Sequence, residues 1–236
     1  MITTDDPIVN PSYQILRSII LDDQLEVKKV CEVGVYNVRY SNMLPFARQN
    51  ECKVILVEPQ PNLAWKLRQH TQTNGLENVK VYEVAAGDAK GVSTFRVPQI
   101  GGASDSSGHL PLGGKDVFSI RQGENLNYKE IKVPTVTFDV IDTVGDIDIL
   151  SVDTEGAEWF TIKHMKSRPS LIMIEMLAEA NDNRPRWVNP YYHEIVQWMK
   201  QNKYSLVHRA HSDFYFQRDD SIPELKRSEV KKIPAV

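Results

Sequence analysis

Three carboxylates occur in one short acidic segment, V-D-T-E-G-A-E, residues 152–158. Asp153 directly follows the apolar run Ile147–Val152, and an acid at the carboxyl end of a buried parallel strand faces the crevice where α/β sheets bind ligands. Such a carboxylate can take a proton from a hydroxyl, an effect of about 10²–10⁴-fold. We therefore predict that Asp153 is a catalytic base or orients an acceptor. Glu155 is the second candidate, although an acid there also stabilises a helix start, and Glu158 is expected to be structural.

The same acids would permit a divalent cation. Asp153, Glu155 and Glu175 offer carboxylate oxygens, which are the ligands that Mg²⁺ prefers, so Mg²⁺ is an open alternative and no metal ligand is assigned. Zinc is not predicted, because His208 and His211 have H-x-x-H spacing but no third ligand is marked. Either histidine could instead line an acceptor pocket.

A second set of residues predicts a hollow for a nucleoside. Gly34 follows an apolar run and is the only glycine before Gly75, so the glycine-rich turn that cradles a pyrophosphate is absent. One close backbone approach suits S-adenosylmethionine, which carries no phosphate. Glu58 ends the next apolar run and can accept hydrogen bonds from both ribose hydroxyls. Asp88, in the segment A-A-G-D, could accept the exocyclic amine of adenine while the backbone beside it, at Ala86, meets the ring.

Alternating strands and helices must position these residues. Because strand, helix and strand follow one another, we expect a parallel sheet with right-handed crossovers. Ser41 is expected to cap a helix that begins there and tolerates Pro45 in its first turn. The predicted strands are 28–33, 53–57, 79–85, 91–97, 131–138, 147–152, 171–174, 204–209 and 214–217, and the predicted helices are 11–25, a segment from about 41, 62–74, 158–165 and 190–202.

Two segments lie outside this pattern. Gln99–Lys115 is rich in glycine and serine and is either a lid over the active site or a plain loop. The segment 181–192 combines aromatic and basic residues that could bind an acceptor ring and its anionic group, or it is a loop with a hydrophobic staple before the last helix. The residues concerned are Arg184, Arg186, Trp187, Tyr191 and Tyr192.

Composition and charge narrow the class of protein. The 236 residues fit one main domain, 28–218, with a helical extension at 1–27 and a tail at 219–236. A net charge of −3 gives no footprint for nucleic acid. No apolar run approaches the roughly 20 residues of a membrane span, and the first ten residues do not resemble a secretory signal. Two cysteines, Cys31 and Cys52, are expected to be buried thiols, which predicts a reducing, cytoplasmic location.

Four motifs, in this order and spacing, resemble the FkbM-type family of S-adenosylmethionine-dependent O-methyltransferases. They are E-V-G-V-Y-N-V-R-Y-S, V-E-P-Q-P, A-A-G-D and V-D-T-E-G-A-E, and the resemblance covers roughly residues 28–218. It implies a seven-stranded, mostly parallel Rossmann-like sheet with a reversed last strand. It also implies methyl transfer to a hydroxyl, often on a sugar or a polyketide.

The resemblance also implies roles for individual residues. Glu32 and Gly34 would face the methionine end of the cofactor, Glu58 the ribose and Asp88 the adenine. By their places in the motifs, the further cofactor-binding candidates are Tyr36, Ser41, Pro59, Ala86 and Asp153. The chain departs from the family's pattern at Val38, where a second glycine is usual, and at Tyr36, where an Asn is usual. These changes could narrow the turn or alter cofactor binding.

The sequence therefore predicts an O-methyltransferase that uses S-adenosylmethionine and acts on a small molecule or a glycan. An N-methyltransferase and a cofactor-binding scaffold without turnover are the alternatives. A nicotinamide oxidoreductase is disfavoured by the missing glycines. The oligomeric state stays open, with a homodimer as one possibility.

Overall fold

The computed structural model describes residues 10–49, 51–99, 108–111, 128–179 and 185–227, with only the backbone described at 177–179, 185–187 and 225. The helices are α1 (Pro11–Asp22), α2 (Pro61–Thr73), α3 (Glu158–Lys163) and α4 (Tyr192–Gln201). The strands are β1 (Lys29–Val33), β2 (Lys53–Val57), β3 (Val79–Tyr82), β4 (Ala85–Ala86), β5 (Gly91–Pro98), β6 (Tyr128–Val136), β7 (Ile149–Val152), β8 (Leu171–Glu175), β9 (Leu177–Glu179), β10 (Pro185–Val188), β11 (Tyr204–Ala210) and β12 (Asp213–Arg218).

A seven-stranded sheet in the order β11-β12-β8-β7-β1-β2-β3 lies at the centre of the fold. The pairs from β8 through β7, β1 and β2 to β3 are all parallel. Only β12 is antiparallel to its neighbours in this sheet, β8 and β11. The α/β class, the mostly parallel sheet and the reversed last strand are therefore confirmed. Because β1 lies between β2 and β7, the strand order reverses at β1, where such sheets bind ligands.

Both faces of the sheet are covered by apolar side chains. Strands β7 and β8 are buried along their whole length, as their near-continuous apolar sequences predict for a parallel sheet covered on both sides. Helix α1 packs Tyr13, Leu16 and Ile20 onto one face. Cys31 and Cys52 are buried free thiols, which confirms their prediction as core residues.

A second, three-stranded sheet corrects the predicted strand pairing. Strands β5 and β6 form, but they pair with each other and with β4, in the order β4-β6-β5, and do not extend the main sheet. The single strand predicted at 79–85 is therefore two strands. It divides after Tyr82, because β3 pairs with β2 whereas β4 pairs with β6.

The helix predicted from Ser41 is also corrected. A short 3₁₀ helix, Leu44–Arg48, takes its place, and Pro45 removes one of the N–H groups that a longer helix would need. Ser41 does act as a cap, because its hydroxyl accepts a hydrogen bond from the Leu44 N–H at 3.0 Å. The predicted helices at 158–165 and 190–202 are shorter, as α3 and α4.

The glycine-rich segment Gln99–Lys115 is described only at residue 99 and at 108–111, so its prediction as a lid lies outside the described residues. His109 exchanges two backbone hydrogen bonds with Arg96, of 2.9 and 3.0 Å, which attaches this short piece to β5.

In the described part of the chain, none of the helices has the length and apolar character needed to cross a bilayer.

Candidate functional site

A cavity of about 230 Å³ opens at the carboxyl ends of β1, β2 and β7. Eight of the ten residues predicted for catalysis or cofactor binding line it, which are Glu32, Gly34, Tyr36, Glu58, Pro59, Ala86, Asp153 and Glu155. Ser41 and Asp88 do not. The parallel sheet brings these residues together, although they are spread over more than 120 positions of the sequence.

Gly34 lies where two loops of the cavity wall meet. Its N–H donates to the Val57 carbonyl and the Asp153 N–H donates to the Val33 carbonyl, each at 2.9 Å, so the loops after β1 and β7 are held side by side. Gly34 has a φ of +90°, a conformation that glycine adopts without strain. A Cβ atom here would lie 1.7 Å from the Asp153 carbonyl oxygen. Position 34 therefore requires glycine, because the loop after β7 lies against its backbone.

Glu32 is buried beneath the loop that follows β1, with 3% of its surface exposed. Its carboxylate accepts hydrogen bonds from the Ser41 hydroxyl, the Asn42 N–H at 2.9 Å and the Met43 N–H at 3.1 Å. Burial outweighs these bonds and raises the pKa of Glu32 to about 7. Ser41 thus contacts Glu32 and is not part of the cavity lining, and its contact with the cofactor stays a prediction.

Glu58 follows β2 and is 4% exposed. Its Oε1 atom accepts the Gln60 N–H at 2.8 Å. Burial raises the pKa of Glu58 to about 8, against the opposing effect of the Gln60 and Val35 N–H groups. The carboxyl group therefore has a fixed position in the cavity and hydrogen-bonding capacity beyond the bonds that hold it.

Asp153 and Glu155 lie on the opposite side of the cavity. A carboxylate oxygen of each lies within 4.8 Å of the other and of an oxygen of Glu175. Asp153 is exposed towards the cavity, yet desolvation by the surrounding protein, followed by the charges of Glu175 and Glu155, raises its pKa well above the usual value. A hard cation could fit such a group, but exposed acids cluster without one, and the arrangement alone assigns no metal.

The loop that carries Glu155 has an unusual backbone. Glu155 has a φ of +56° and Gly156 a φ of +109°. A left-handed conformation costs a non-glycine residue about 1–2 kcal/mol, so neighbouring groups must stabilise it. Glu158 stabilises this backbone, because its Oε1 atom accepts hydrogen bonds from the Thr154 N–H at 2.8 Å and the Gly156 N–H at 3.1 Å.

Two tyrosines border the cavity, and one of them is at a position where the chain departs from the family's pattern. Tyr36 and Tyr40 both line it and are both exposed, with their rings stacked at 6.4 Å between centroids and 20° between planes. Val38 packs into the core below and is not part of the lining. Neither Tyr36 nor Val38 closes the cavity.

Asp88 does not line the cavity, so the structure does not bring it together with the other residues predicted for the cofactor, and its contact with adenine stays a prediction. Its carboxylate contacts the Lys163 ammonium and the His164 ring, and these partners lower its pKa. It borders a neighbouring groove together with Phe160 and Tyr191. Ala86, two residues earlier, does line the cavity. Ala85 and Ala86 pair with β6, and the Gly87 N–H then donates to the Val136 carbonyl at 2.9 Å, before the chain reaches Asp88.

The predicted acceptor segment is only partly described. Arg184 lies outside the described residues, and the side chains of Arg186 and Trp187 are not described. Tyr191 packs on Phe160 at 5.4 Å between ring centroids, and Tyr192 is buried in the core. The His208 ring contacts Tyr215; neither it nor His211 lines the cavity.

Several lining residues were not predicted. Gln60 and Tyr40 lie close in sequence to Glu58 and Tyr36, and that proximity was a usable signal. Asn42 is held by its side-chain amide, which donates to the Ser151 hydroxyl at 3.2 Å. Phe95 and Leu110 reach the cavity from the small sheet and its edge, and no local sequence pattern indicates this. The remaining unpredicted residues are Val33, Val57, Val84, Ala85, Gly108, Thr154 and Ala157.

Solved structures with a similar chain trace include methyltransferases. An O-methyltransferase from Bacillus cereus in complex with SAH is 13% identical, with a TM-score of 0.45, and 92% of this chain covers 84% of that one. A methyltransferase from Geobacter sulfurreducens is 14% identical, with a TM-score of 0.44, and the coverages are 92% and 91%. A third solved structure is that of the protein EvdMO1, which is 8% identical with a TM-score of 0.42. Here 88% of this chain covers only 41% of the EvdMO1 chain. A comparison with curated proteins gives no match.

A family model decides the assignment. The model described as "Methyltransferase FkbM domain" matches residues 32–206. This range includes the carboxyl ends of the strands that build the cavity and the eight lining residues predicted from sequence. The chain therefore belongs to the FkbM family of S-adenosylmethionine-dependent methyltransferases.

Proposed function

We propose that this protein transfers a methyl group from S-adenosylmethionine to a hydroxyl group of a small molecule or a glycan. The observation that carries the proposal is the convergence of Glu32, Gly34, Glu58 and Asp153 on one cavity at the carboxyl end of the sheet. The family supports methyl transfer, and the choice of a hydroxyl acceptor rests on the carboxylates beside the cavity.

The residues on the β1 and β2 side fit the cofactor. Gly34 lines the cavity and lets the loops after β1 and β7 approach closely, because a Cβ atom would overlap the Asp153 backbone. We assign the cofactor to the cavity beside this contact. Glu58 is placed to accept hydrogen bonds from two ribose hydroxyls. Glu32 fixes residues 41–43 through three hydrogen bonds and thereby shapes the side of the cavity assigned to the methionine end. Ala86 and Pro59 complete the lining near the nucleoside.

The residues on the β7 side are assigned to the acceptor. When bound, S-adenosylmethionine supplies a methyl group that is already activated. The chain must then align the acceptor oxygen, a proximity effect worth up to about 7–11 kcal/mol, and remove the hydroxyl proton. Asp153 is the proposed proton acceptor. Its raised pKa makes it a stronger base than an ordinary carboxylate. Glu155 is placed beside it to orient the same hydroxyl.

The stacked pair Tyr36 and Tyr40 supports an acceptor that contains a ring. Both side chains are exposed where the cavity meets solvent. Aromatic rings bury a large apolar area and keep a polar tip for hydrogen bonding, which suits the apolar face of a sugar or an aromatic ring.

The experiment compares ligands first and acceptors second. We expect calorimetry to show binding of S-adenosylmethionine and its demethylated product and no comparable binding of NADH. Binding of NADH alone would refute the proposal. Turnover is then measured with matched hydroxyl and amine forms of the same ring acceptors, with and without a chelator. Methylation of the amine form only would replace the hydroxyl acceptor, and loss of activity with chelator would introduce a metal.

A further inference from the structure

A buried pair, Glu158 and Asn189, joins two parts of the chain that border the active site. Glu158 begins α3 and has no exposed surface, and Asn189 follows β10 and is 2% exposed. The Asn189 amide donates a hydrogen bond to Glu158 Oε2. The two residues are 31 positions apart in sequence, so this bond connects the loop after β7 to the segment that enters α4.

The Glu158 side of the pair controls the loop after β7. Its Oε1 atom accepts the N–H groups of Thr154 and Gly156, which flank Glu155 on both sides. Glu155 is held in the left-handed conformation between these two bonds. A change at Glu158 therefore changes the direction in which Glu155 and its neighbour Asp153 face the cavity.

The Asn189 side of the pair controls the segment that enters α4. Asn189 Oδ1 accepts the Tyr191 N–H at 2.8 Å, and its carbonyl accepts the Tyr192 N–H at 3.0 Å. Its own N–H donates to the Met176 carbonyl at 2.9 Å, directly after β8. Every polar atom of the Asn189 side chain and backbone is thus used to fix this connection.

We propose that Glu158 and Asn189 form a clamp that fixes the orientation of the proposed catalytic loop, residues 153–156, against the segment 189–191. Both act as positioning residues, since neither lines the cavity. This inference rests on the proposed function for its effect on turnover, whereas the clamp itself is a statement about the fold. An isolated buried carboxylate costs several kcal/mol, so its three hydrogen bonds have to be kept together.

The hydrogen bonds define a sharp test by side-chain exchange. In Glu158→Gln, Oε1 still accepts the two loop N–H groups, but Nε2 then faces the Asn189 amide, and two donors meet. Flipping the side-chain amide at residue 158 or 189 brings its NH₂ group against a backbone N–H group, so two donors still face each other. Adding Asn189→Asp supplies an oxygen for the new Gln Nε2, while the second Asp oxygen still accepts the Tyr191 N–H. The double variant therefore restores every bond. It also has the net charge of the wild type, because the negative charge lost at residue 158 is regained at residue 189.

We expect Glu158→Gln to lower kcat by about 10²-fold, which is the cost of a misplacement of roughly 1 Å, while the affinity for the demethylated cofactor changes little. The double variant should recover most of the lost kcat. Glu194→Gln is the matched control, because Glu194 also lies in the first turn of a helix but is exposed; its kcat should equal that of the wild type.

Amide hydrogen exchange gives a readout that does not depend on turnover. In Glu158→Gln the two facing amide groups repel each other and displace both side chains, which weakens the bonds that these side chains keep. The N–H groups of Thr154, Gly156 and Tyr191 should therefore exchange faster in this variant and return towards wild-type rates in the double variant. If exchange is unchanged in the single variant, or if the folded double variant has no more kcat than the single one, the clamp is refuted. If the wild type has no turnover with any acceptor, the proposed function fails. Hydrogen exchange still tests whether Glu158 and Asn189 hold the loop in place.

Discussion

The backbones of Gly34 and Asp153 are in contact at β1, where the strand order of the sheet reverses. A Cβ atom at residue 34 would lie 1.7 Å from the Asp153 carbonyl oxygen. This contact joins the proposed cofactor side of the cavity to the proposed acceptor side. A displacement of Gly34 therefore moves Asp153 as well. The first prediction follows from this geometry.

Gly34→Ala should lower the affinity for the demethylated cofactor by at least about tenfold, because a loop must shift to relieve the overlap. Isothermal titration calorimetry measures the effect. Gly75→Ala is the matched control, since Gly75 also has a positive φ, of +63°, but has no atom within 4 Å of the added Cβ. It should lose about 1 kcal/mol of stability through backbone strain and keep the affinity. Equal affinities in the two variants would contradict the assigned contact.

Glu58→Ala should weaken cofactor binding severalfold or more, because it removes the acceptor proposed for two ribose hydroxyls. The control is Glu83→Ala, whose carboxylate pairs with Arg68 at 2.6 Å and does not line the cavity. The same titration, repeated with adenine alone, should show no difference between wild type and Glu58→Ala. An unchanged affinity for the full demethylated cofactor would remove the ribose assignment.

The buried Glu58 also predicts a pH dependence of stability. Burial raises its pKa from 4.5 to about 8, so between these pH values the folded protein binds more protons at Glu58 than the unfolded chain does. The contribution of this group to the free energy of unfolding therefore falls as the pH rises through that range, and it is constant above it.

Glu58→Gln removes this titration and keeps an oxygen for the Gln60 N–H. We expect equal melting temperatures for variant and wild type at pH 5 and a higher one for the variant at pH 8.5. Glu32 and Glu158 titrate near pH 7 in both proteins, so the difference between the two curves isolates Glu58. A constant difference across this pH range would show that Glu58 is already ionised at low pH.

Asp153→Asn should retain cofactor affinity and lower kcat by about 10²–10⁴-fold, the usual contribution of a general base. Single-turnover kinetics with an identified acceptor measures the effect. Asp146→Asn serves as control, because Asp146 lies at the opposite end of β1, where it pairs with Lys29 at 2.5 Å. A fully active Asp153→Asn enzyme would leave Glu155 as the remaining candidate.

Asp88→Asn should leave the affinity for the demethylated cofactor unchanged, because Asp88 faces Lys163 and His164 and does not line the cavity. The motif suggests the opposite, so this variant separates the sequence pattern from the geometry. A large loss of affinity would show that Asp88 exchanges its partners for the cofactor when it binds.

The main sheet and much of the site were predictable from local sequence. Apolar runs such as Lys53–Val57 specify buried strands, and the acid that follows each run lies at the carboxyl end of the sheet because the strands are parallel. Glu58 and Asp153 could be identified for this reason. Their position at the same edge of the sheet follows from the strand topology and does not depend on side-chain contacts.

The parts that were not predictable depend on distant pairing. Whether Gly91–Pro98 joins the main sheet or pairs with β6 is decided by contacts across more than 30 residues, and the strand pattern is the same in both cases. For that reason the sequence does not indicate that Asp88 borders the neighbouring groove and not the cavity. Ser41 has the sequence of a helix cap, and its contact with the buried Glu32 depends on how the loop folds over β1.

The floor and one wall of the cavity come from different sheets. Gly34 and Asp153 belong to the loops of the seven-stranded sheet, whereas Phe95 and Leu110 approach from the small sheet and its edge. Phe95 and Leu110 also share a buried apolar cluster with Ala157, which follows β7. A substitution on this wall that alters the choice of ligand therefore also alters how the small sheet is anchored to the main fold.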